Sequence, residues 1–216
     1  MEFWADRYPP GYLAIYNREI QRKPAESLRG LWRWKTLHRT GFDPEQFDPY
    51  IREAEELCDS IDGSVSEVSI EKVADAFGKL RKSLKQEGPL SQNSSVIVTP
   101  QFLLHLADSK DGYSGRFPIL DVMVARAYRT WTASDTSKTL QATLAGSRNT
   151  YIELVEYILG NCETASQVAQ MERALFVQGR AIAQYRENEA EYDKIRKLPV
   201  SVAREYLDDI REHTHS

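Results

Sequence analysis

Apolar positions recur along this chain at the three- and four-residue spacing of a helix far more often than at the alternate spacing of a strand. In Asp43-Pro44-Glu45-Gln46 an N-cap Asp precedes Pro at the first helical position, with Gln three residues after the cap. Phe47, Tyr50, Ile51, Ala54, Leu57, Cys58 and Ile61 then keep helical period until Gly63. A second helix is predicted over residues 69–86, with Val73, Phe77, Leu80 and Leu84 on one face and Gly88-Pro89 beyond its end. Upstream, Leu28, Leu31, Trp32 and Lys35 predict a helix over residues 25–40, closed by Gly41. Val96-Ile97-Val98 is the best strand candidate, but Thr99-Pro100 directly after it reads as the N-cap and first residue of a helix over residues 101–107. One short strand makes no sheet. After a polar loop over residues 108–118, Ile119, Val122, Met123, Arg126 and Ala127 resume helical spacing as far as Trp131. A Ser/Thr-rich break covers residues 132–138. Further helices are predicted over residues 149–159, over 164–196 behind the capping box Thr164-x-x-Gln167, and over 200–211 after Pro199, with a bend or split in the long one near Gly179. The chain therefore reads as all-α, with about eight helices and no internal repeat.

Its 216 residues, 41% hydrophobic and 28% charged, suffice to bury a core and exclude a wholly disordered chain. They suit one all-α domain over residues 1–216, or two packed helical lobes over about 1–95 and 96–216. Mean hydropathy is -0.53, and apolar runs such as Phe102 to Leu104 are far shorter than the roughly 20 residues of a membrane span, so no membrane helix is expected. The first residues lack a basic region followed by an apolar stretch, which makes the cytoplasm the expected location. Cys58 and Cys162 stand 104 positions apart without metal-ligand spacing and are expected as buried free thiols. Of the histidines His38, His105, His213 and His215, the last two lie in a polar tail. Nothing matches a P-loop, GxGxxG, GxSxG, HExxH or an EF-hand, so no metal or cofactor is expected.

Charge is distributed in blocks. Net charge is -4, which argues mildly against a surface that grips nucleic acid all round. Residues 18–39 nevertheless carry +5, residues 43–75 carry -9, and residues 116–148 carry +3. Such blocks either set up a field across the molecule or pair with one another on folding. The +5 block interleaves Trp32 and Trp34 with Arg33 and Lys35, which suits a backbone track with stacking platforms. The -9 block would suit a basic protein partner.

Asp121 opens an apolar helical stretch, Phe117-Pro-Ile-Leu-Asp121-Val-Met-Val124-Ala-Arg126-Ala-Tyr128. Local physics gives it a plain role as a cap on orphan amides at the positive end of the helix dipole. The pattern Pro118-x-x-Asp121-Val122-x-Val124-x-Arg126 also resembles the segment that follows the hairpin in helix-hairpin-helix base-excision DNA glycosylases. It most resembles bacterial proteins described as 8-oxoguanine DNA glycosylase-like, in which Trp34-Lys35, Phe102-Leu103, Phe117 to Asp121, and Ala174-Leu175 with Gly179 have counterparts in the same order.

The resemblance implies a helix-hairpin-helix glycosylase-like fold, DNA as partner, and Asp121 as the carboxylate that stabilises charge on the sugar as the base leaves or helps activate the nucleophile. A flipped base would need apolar or aromatic walls, for which Trp32, Trp34, Phe117 and Tyr128 are candidates, although aromatic side chains at helical spacing also serve as core. The DNA contacts it suggests are Arg33, Trp34, Lys35, Thr99, Lys110, Arg116 and Arg126. Bifunctional relatives carry a lysine nineteen positions before the Asp, and here that place is Phe102. Residues 94–101 hold no glycine for a phosphate-binding hairpin, Met123 stands where relatives often have His, and no four-Cys cluster exists. Lys35 or Lys110 could supply an amine from elsewhere. The resemblance thus implies a monofunctional enzyme using activated water, or a non-catalytic module of the same descent that binds nucleic acid or a protein.

Overall fold

A computed structural model describes residues 2–6, 8, 13–14, 16–17, 44–86, 97–132 and 148–187. Among these the regular structure is entirely helical. The main elements are α1 (Asp48–Asp59), α2 (Ile70–Gln86), α3 (Val98–Asp108), α4 (Val122–Thr132), α5 (Arg148–Leu159) and α6 (Ala165–Glu187), with a helical turn at Glu2–Ala5 and a 3-10 turn at Pro44–Phe47. No helix among the described residues is long and apolar enough to cross a membrane. The helices expected over residues 25–40 and 200–211, and the end of the long helix beyond Glu187, lie outside the described residues.

Two compact units divide the chain. One comprises Met1–Arg7, Asp121–Ala145 and Glu172–Ser216, the other Tyr8–Leu120 and Gly146–Met171. Both are assembled from separate stretches of sequence, so a boundary near residues 95–96 falls inside the second unit.

In the second unit α3 packs against α1 and α2, and α2 also against α5. The apolar faces read from the sequence are the buried ones: Ile51, Ala54 and Cys58 on α1, and Val73, Phe77, Leu80 and Leu84 on α2. From α5 come Tyr151, Leu154, Val155 and Ile158, and the rings of Phe77 and Tyr151 lie 4.3 Å apart. α3 is buried along its length from Thr99 to Asp108, as suits a helix whose sides all meet other elements.

The first unit holds α4 and the later part of α6. Val124, Ala125 and Ala127 of α4 are buried, as are Ala174, Leu175, Gln178, Gly179 and Ile182 of α6. Trp4 and Ala5 pack with Ala174, and Val177 lies against them. α6 begins with the expected capping box: Gln167 Oε1 accepts from the Thr164 and Glu163 amides at 3.0 and 2.7 Å, while Gln167 N donates to Thr164 Oγ1 at 3.3 Å.

Four details depart from the sequence reading. α1 becomes α-helical at Asp48 after the 3-10 turn, with Pro49 in its first turn, and ends at Asp59 instead of running to Gly63. The cap of α3 is Ile97 rather than Thr99, so Val98 is helical and not part of a strand. Pro100 is tolerated there because the first amides of a helix have no partner within it; the first such bond, Gln101 N to Ile97 O, forms just after the proline. Ile119 precedes α4 rather than belonging to it. Finally, α6 is unbroken at Gly179. That glycine is instead a point of close approach: a Cβ there would lie 2.5 Å from Met123 C and 2.8 Å from Met123 Cα on α4.

Candidate functional site

Asp121 stands at the threshold of α4, 7% exposed. Its Oδ1 accepts from the amides of Met123 and Val124 at 2.7 and 2.8 Å, and its carbonyl takes the first helical bond, from Ala125 N at 2.8 Å. That is N-cap geometry, with the carboxylate at the positive end of the helix dipole. Five residues further, Arg126 is 6% exposed and its Nη1 lies 3.3 Å from Gly179 O and 3.1 Å from Met123 Sδ. The guanidinium thus binds an α6 carbonyl and an α4 sulfur within the first unit. Trp131, later on α4, donates to Gln178 Oε1 at 2.7 Å.

Among the described residues, buried polar side chains cluster in the second unit on α3, in residues to which the sequence reading gave no role. Gln101, His105 and Asp108 follow one another at spacings of four and three, which places them along one side of the helix. Each bonds to the irregular segment that follows. Gln101 grips Leu120 at both backbone groups, donating from Nε2 to Leu120 O and accepting at Oε1 from Leu120 N, each at 2.7 Å. His105 Nδ1 donates to Phe117 O at 2.9 Å, which leaves Nε2 to accept from the Tyr16 hydroxyl. Burial holds the imidazole below its ordinary pKa, against opposite contributions from the Phe117 carbonyl and Asp108. The rings of Tyr16 and Tyr113 lie 5.7 and 5.4 Å from that of His105.

Asp108 closes the row. Its Oδ1 receives Arg116 Nε and Nη2 at 2.7 and 2.6 Å, and its Oδ2 receives the Ser114 hydroxyl and the Arg116 amide. Arg116 Nη1 also donates to Ile61 O. Gly115, at φ +81°, lets the segment pass α6, where a Cβ would come within 3.0 Å of Ala165 Cα. These bonds satisfy polar groups whose burial would otherwise cost about 1–3 kcal/mol each. They fold the segment back along α3.

The remaining expected contacts are placed as follows. Thr99 is 3% exposed in the first turn of α3. Lys110 is exposed and paired with Asp59 at 2.9 Å. Arg116 serves the Asp108 pair with 16% of its side chain exposed. Arg33, Trp34 and Lys35, with Trp32, lie outside the described residues. Of the other wall candidates Phe117 is fully buried and Tyr128 half-buried. Phe102, where the resemblance would put a lysine, is fully buried. Cys58 and Cys162 are buried free thiols. Among the described residues no three His, Cys, Asp or Glu side chains are grouped to hold a metal ion.

The signal for the α3 row was present in the sequence: three polar residues at helical spacing within an otherwise apolar stretch, followed by a glycine-containing loop. Comparison with protein-family models, with curated proteins and with solved structures finds no match for this chain.

Proposed function

We propose that this protein is a glycosylase-like DNA-binding protein that excises an oxidised base of the 8-oxoguanine type by a monofunctional mechanism, with Asp121 as its catalytic carboxylate. One observation carries the reading: Asp121 heads α4 within Pro118-x-x-Asp121-Val122-x-Val124-x-Arg126, with Oδ1 fixed by two amides. A carboxylate held at a helix start by backbone bonds is pre-organised and needs no rearrangement as positive charge develops on the sugar. In the reaction the glycosidic bond breaks and the base leaves with the bonding electrons, water adds at the sugar carbon, and the proton that water loses is balanced by one that the departing base takes up from solvent. With Phe102 at the place of the hairpin lysine, no Schiff base forms there and base release proceeds without strand cleavage by that route.

The test uses labelled duplex and single-stranded oligonucleotides bearing 8-oxoguanine, uracil or an abasic site. The expected result is base release by the parent protein, loss of release in Asp121→Asn, and retained DNA binding in both. Absence of release from every substrate overturns the catalytic reading.

The low exposure of Asp121, and the internal partners of Arg116, Arg126 and Lys110, favour a second reading in which the same fold binds without catalysis. Binding that weakens steeply with salt marks a nucleic-acid partner through phosphate contacts, and binding that does not marks a protein partner.

A further inference from the structure

We propose that the outward face of the second half of α2, carrying Lys79, Lys82 and Lys85, holds the phosphate backbone of DNA; this rests on the DNA-binding part of the reading above and not on the role of Asp121. Charge divides α2 along its length. Glu71 and Asp75 lie in its first half, whereas residues 76–86 carry four basic side chains and no acidic one. Phe77, Leu80 and Leu84, the large apolar side chains of that second half, are fully buried, so the opposite face presents charge without an apolar anchor. Lys79 and Lys82 are exposed and Lys85 is half-buried. Among the described residues none of these three lysines makes a hydrogen bond or ion pair, while Arg81, half-buried on the flank, has a partner of its own. Lys110 and Arg116, expected as DNA contacts and belonging to the same unit, are instead neutralised by Asp59 and Asp108.

The helix dipole explains only one of the three. Its pull on cations is confined to the last turn, where Lys85 lies; Lys79 stands two turns from the end. Like charges at a spacing of three repel one another across a helix surface, and a polyanion laid along them removes that repulsion. Successive lysines are displaced by about 4.5 Å along the axis, comparable to a DNA strand that offers a phosphate for about every 3.4 Å of its own axis. An ammonium on a flexible stem meets phosphate as a point charge, without the fixed fork by which arginine grips a carboxylate. Protein interfaces are centred on aromatic or apolar anchors, which this face lacks. The occupant it fits is therefore a nucleic-acid backbone rather than an acidic protein.

Binding of the full-length chain to a labelled, lesion-free duplex, followed from about 50 to about 200 mM salt, tests this. Lys79, Lys82 and Lys85 are changed together to Gln, Lys82→Gln is made alone, and Arg52→Gln, exposed among the acidic residues of α1, removes one charge elsewhere. The slope of log affinity against log salt is expected to become shallower by about 2–3 in the triple variant and by about 1 in Lys82→Gln, and to stay unchanged in Arg52→Gln. At about 0.1 M salt the triple variant loses affinity by about tenfold to a hundredfold. Thermal midpoints stay within about 2 °C of the parent, as for surface substitutions generally; if the triple variant does not fold, Lys82→Gln decides. Parent-like slope and affinity in the triple variant overturn the proposal and leave the DNA reading standing. An equal change in Arg52→Gln marks an effect of net charge and overturns it as well. Poly-glutamate that displaces the duplex at equal charge overturns it in favour of an acidic protein. A parent that binds no duplex overturns this proposal and the DNA reading together, whereas one that binds with the expected slopes and releases no base overturns the catalytic reading alone.

Discussion

Replacing Gly179 by alanine is expected to destabilise the protein, although alanine is ordinarily the better helix former by about 1 kcal/mol. Gly179 lies inside α6, and the added Cβ would meet Met123 C at 2.5 Å and Met123 Cα at 2.8 Å, where ordinary contact begins at 3.4 Å. The atoms approached are backbone, the nearest of them Met123 O, so no rotamer change relieves the clash and α4 must retreat from α6 by more than an ångström. Overpacking of this kind costs about 1–3 kcal/mol. The retreat also stretches the bonds from Arg126 Nη1 to Gly179 O, now 3.3 Å, and from Trp131 Nε1 to Gln178 Oε1, now 2.7 Å. At about 1 kcal/mol each, and after subtracting the gain in helix propensity, the net loss is about 2–4 kcal/mol. For a chain of this length that is a fall in Tm of about 5–15 °C. Thermal and urea denaturation followed by tryptophan fluorescence would measure it, since Trp131 sits on the displaced helix. Truncating the neighbouring side chain by Met123→Ala is expected not to rescue the variant. Gly179→Ala as stable as the parent, or restored by Met123→Ala, would refute the backbone-contact argument.

Arg116→Met strands the Asp108 carboxylate, whose side chain is 2% exposed, and is expected to cost about 3–5 kcal/mol in urea unfolding; Asp108→Asn in the same chain should recover part of that loss, and simple additivity would show the pair uncoupled. Because burial holds the His105 pKa below its ordinary value of 6.5, the unfolded chain takes up the proton first. The His105 contribution to stability is therefore complete above about pH 6.5, declines as the pH falls below it, and levels off beneath the folded pKa. Unfolding midpoints compared between the parent and His105→Gln from pH 8 to pH 5 read this directly, and a parent that gains stability relative to the variant on acidification contradicts it. Burial likewise pushes the Cys58 thiol up, and its Sγ lies 3.5 Å from Leu104 O. Iodoacetamide at pH 8 should modify Cys58 in the unfolded protein and spare it in the folded one, as peptide mass mapping would show; equal labelling in both states would contradict its burial.

Helices were legible wherever one face met the core and the other met water. On α2 the residues Val73, Phe77, Leu80 and Leu84 repeat at three and four, and all are buried. The start of α6 was legible for a local reason, because a capping box is satisfied within a few residues and needs no tertiary partner. The start of α3 was not. Thr99-Pro100 has the chemistry of a cap and a first helical residue, yet the helix starts two residues upstream, with buried Ile97 as its cap. Gly179 shows the same limit: a glycine within a helical pattern signals either a break or a close approach, and the deciding partner, Met123, lies 56 positions away in sequence.

The candidate site carries an ambiguity that its geometry sharpens. A structural cap and a catalytic carboxylate are both acidic residues at a helix start, so sequence alone assigns Asp121 to either. The two roles use the side chain differently. The cap needs an oxygen acceptor toward the Met123 and Val124 amides, which asparagine supplies as well as aspartate does. Stabilising a developing cation needs the negative charge, which asparagine lacks. Asp121→Asn should therefore leave stability nearly unchanged whichever role is true, whereas Asp121→Ala should cost about 1–2 kcal/mol by orphaning two amides. Chemistry lost in the asparagine variant without loss of fold can come only from the charge.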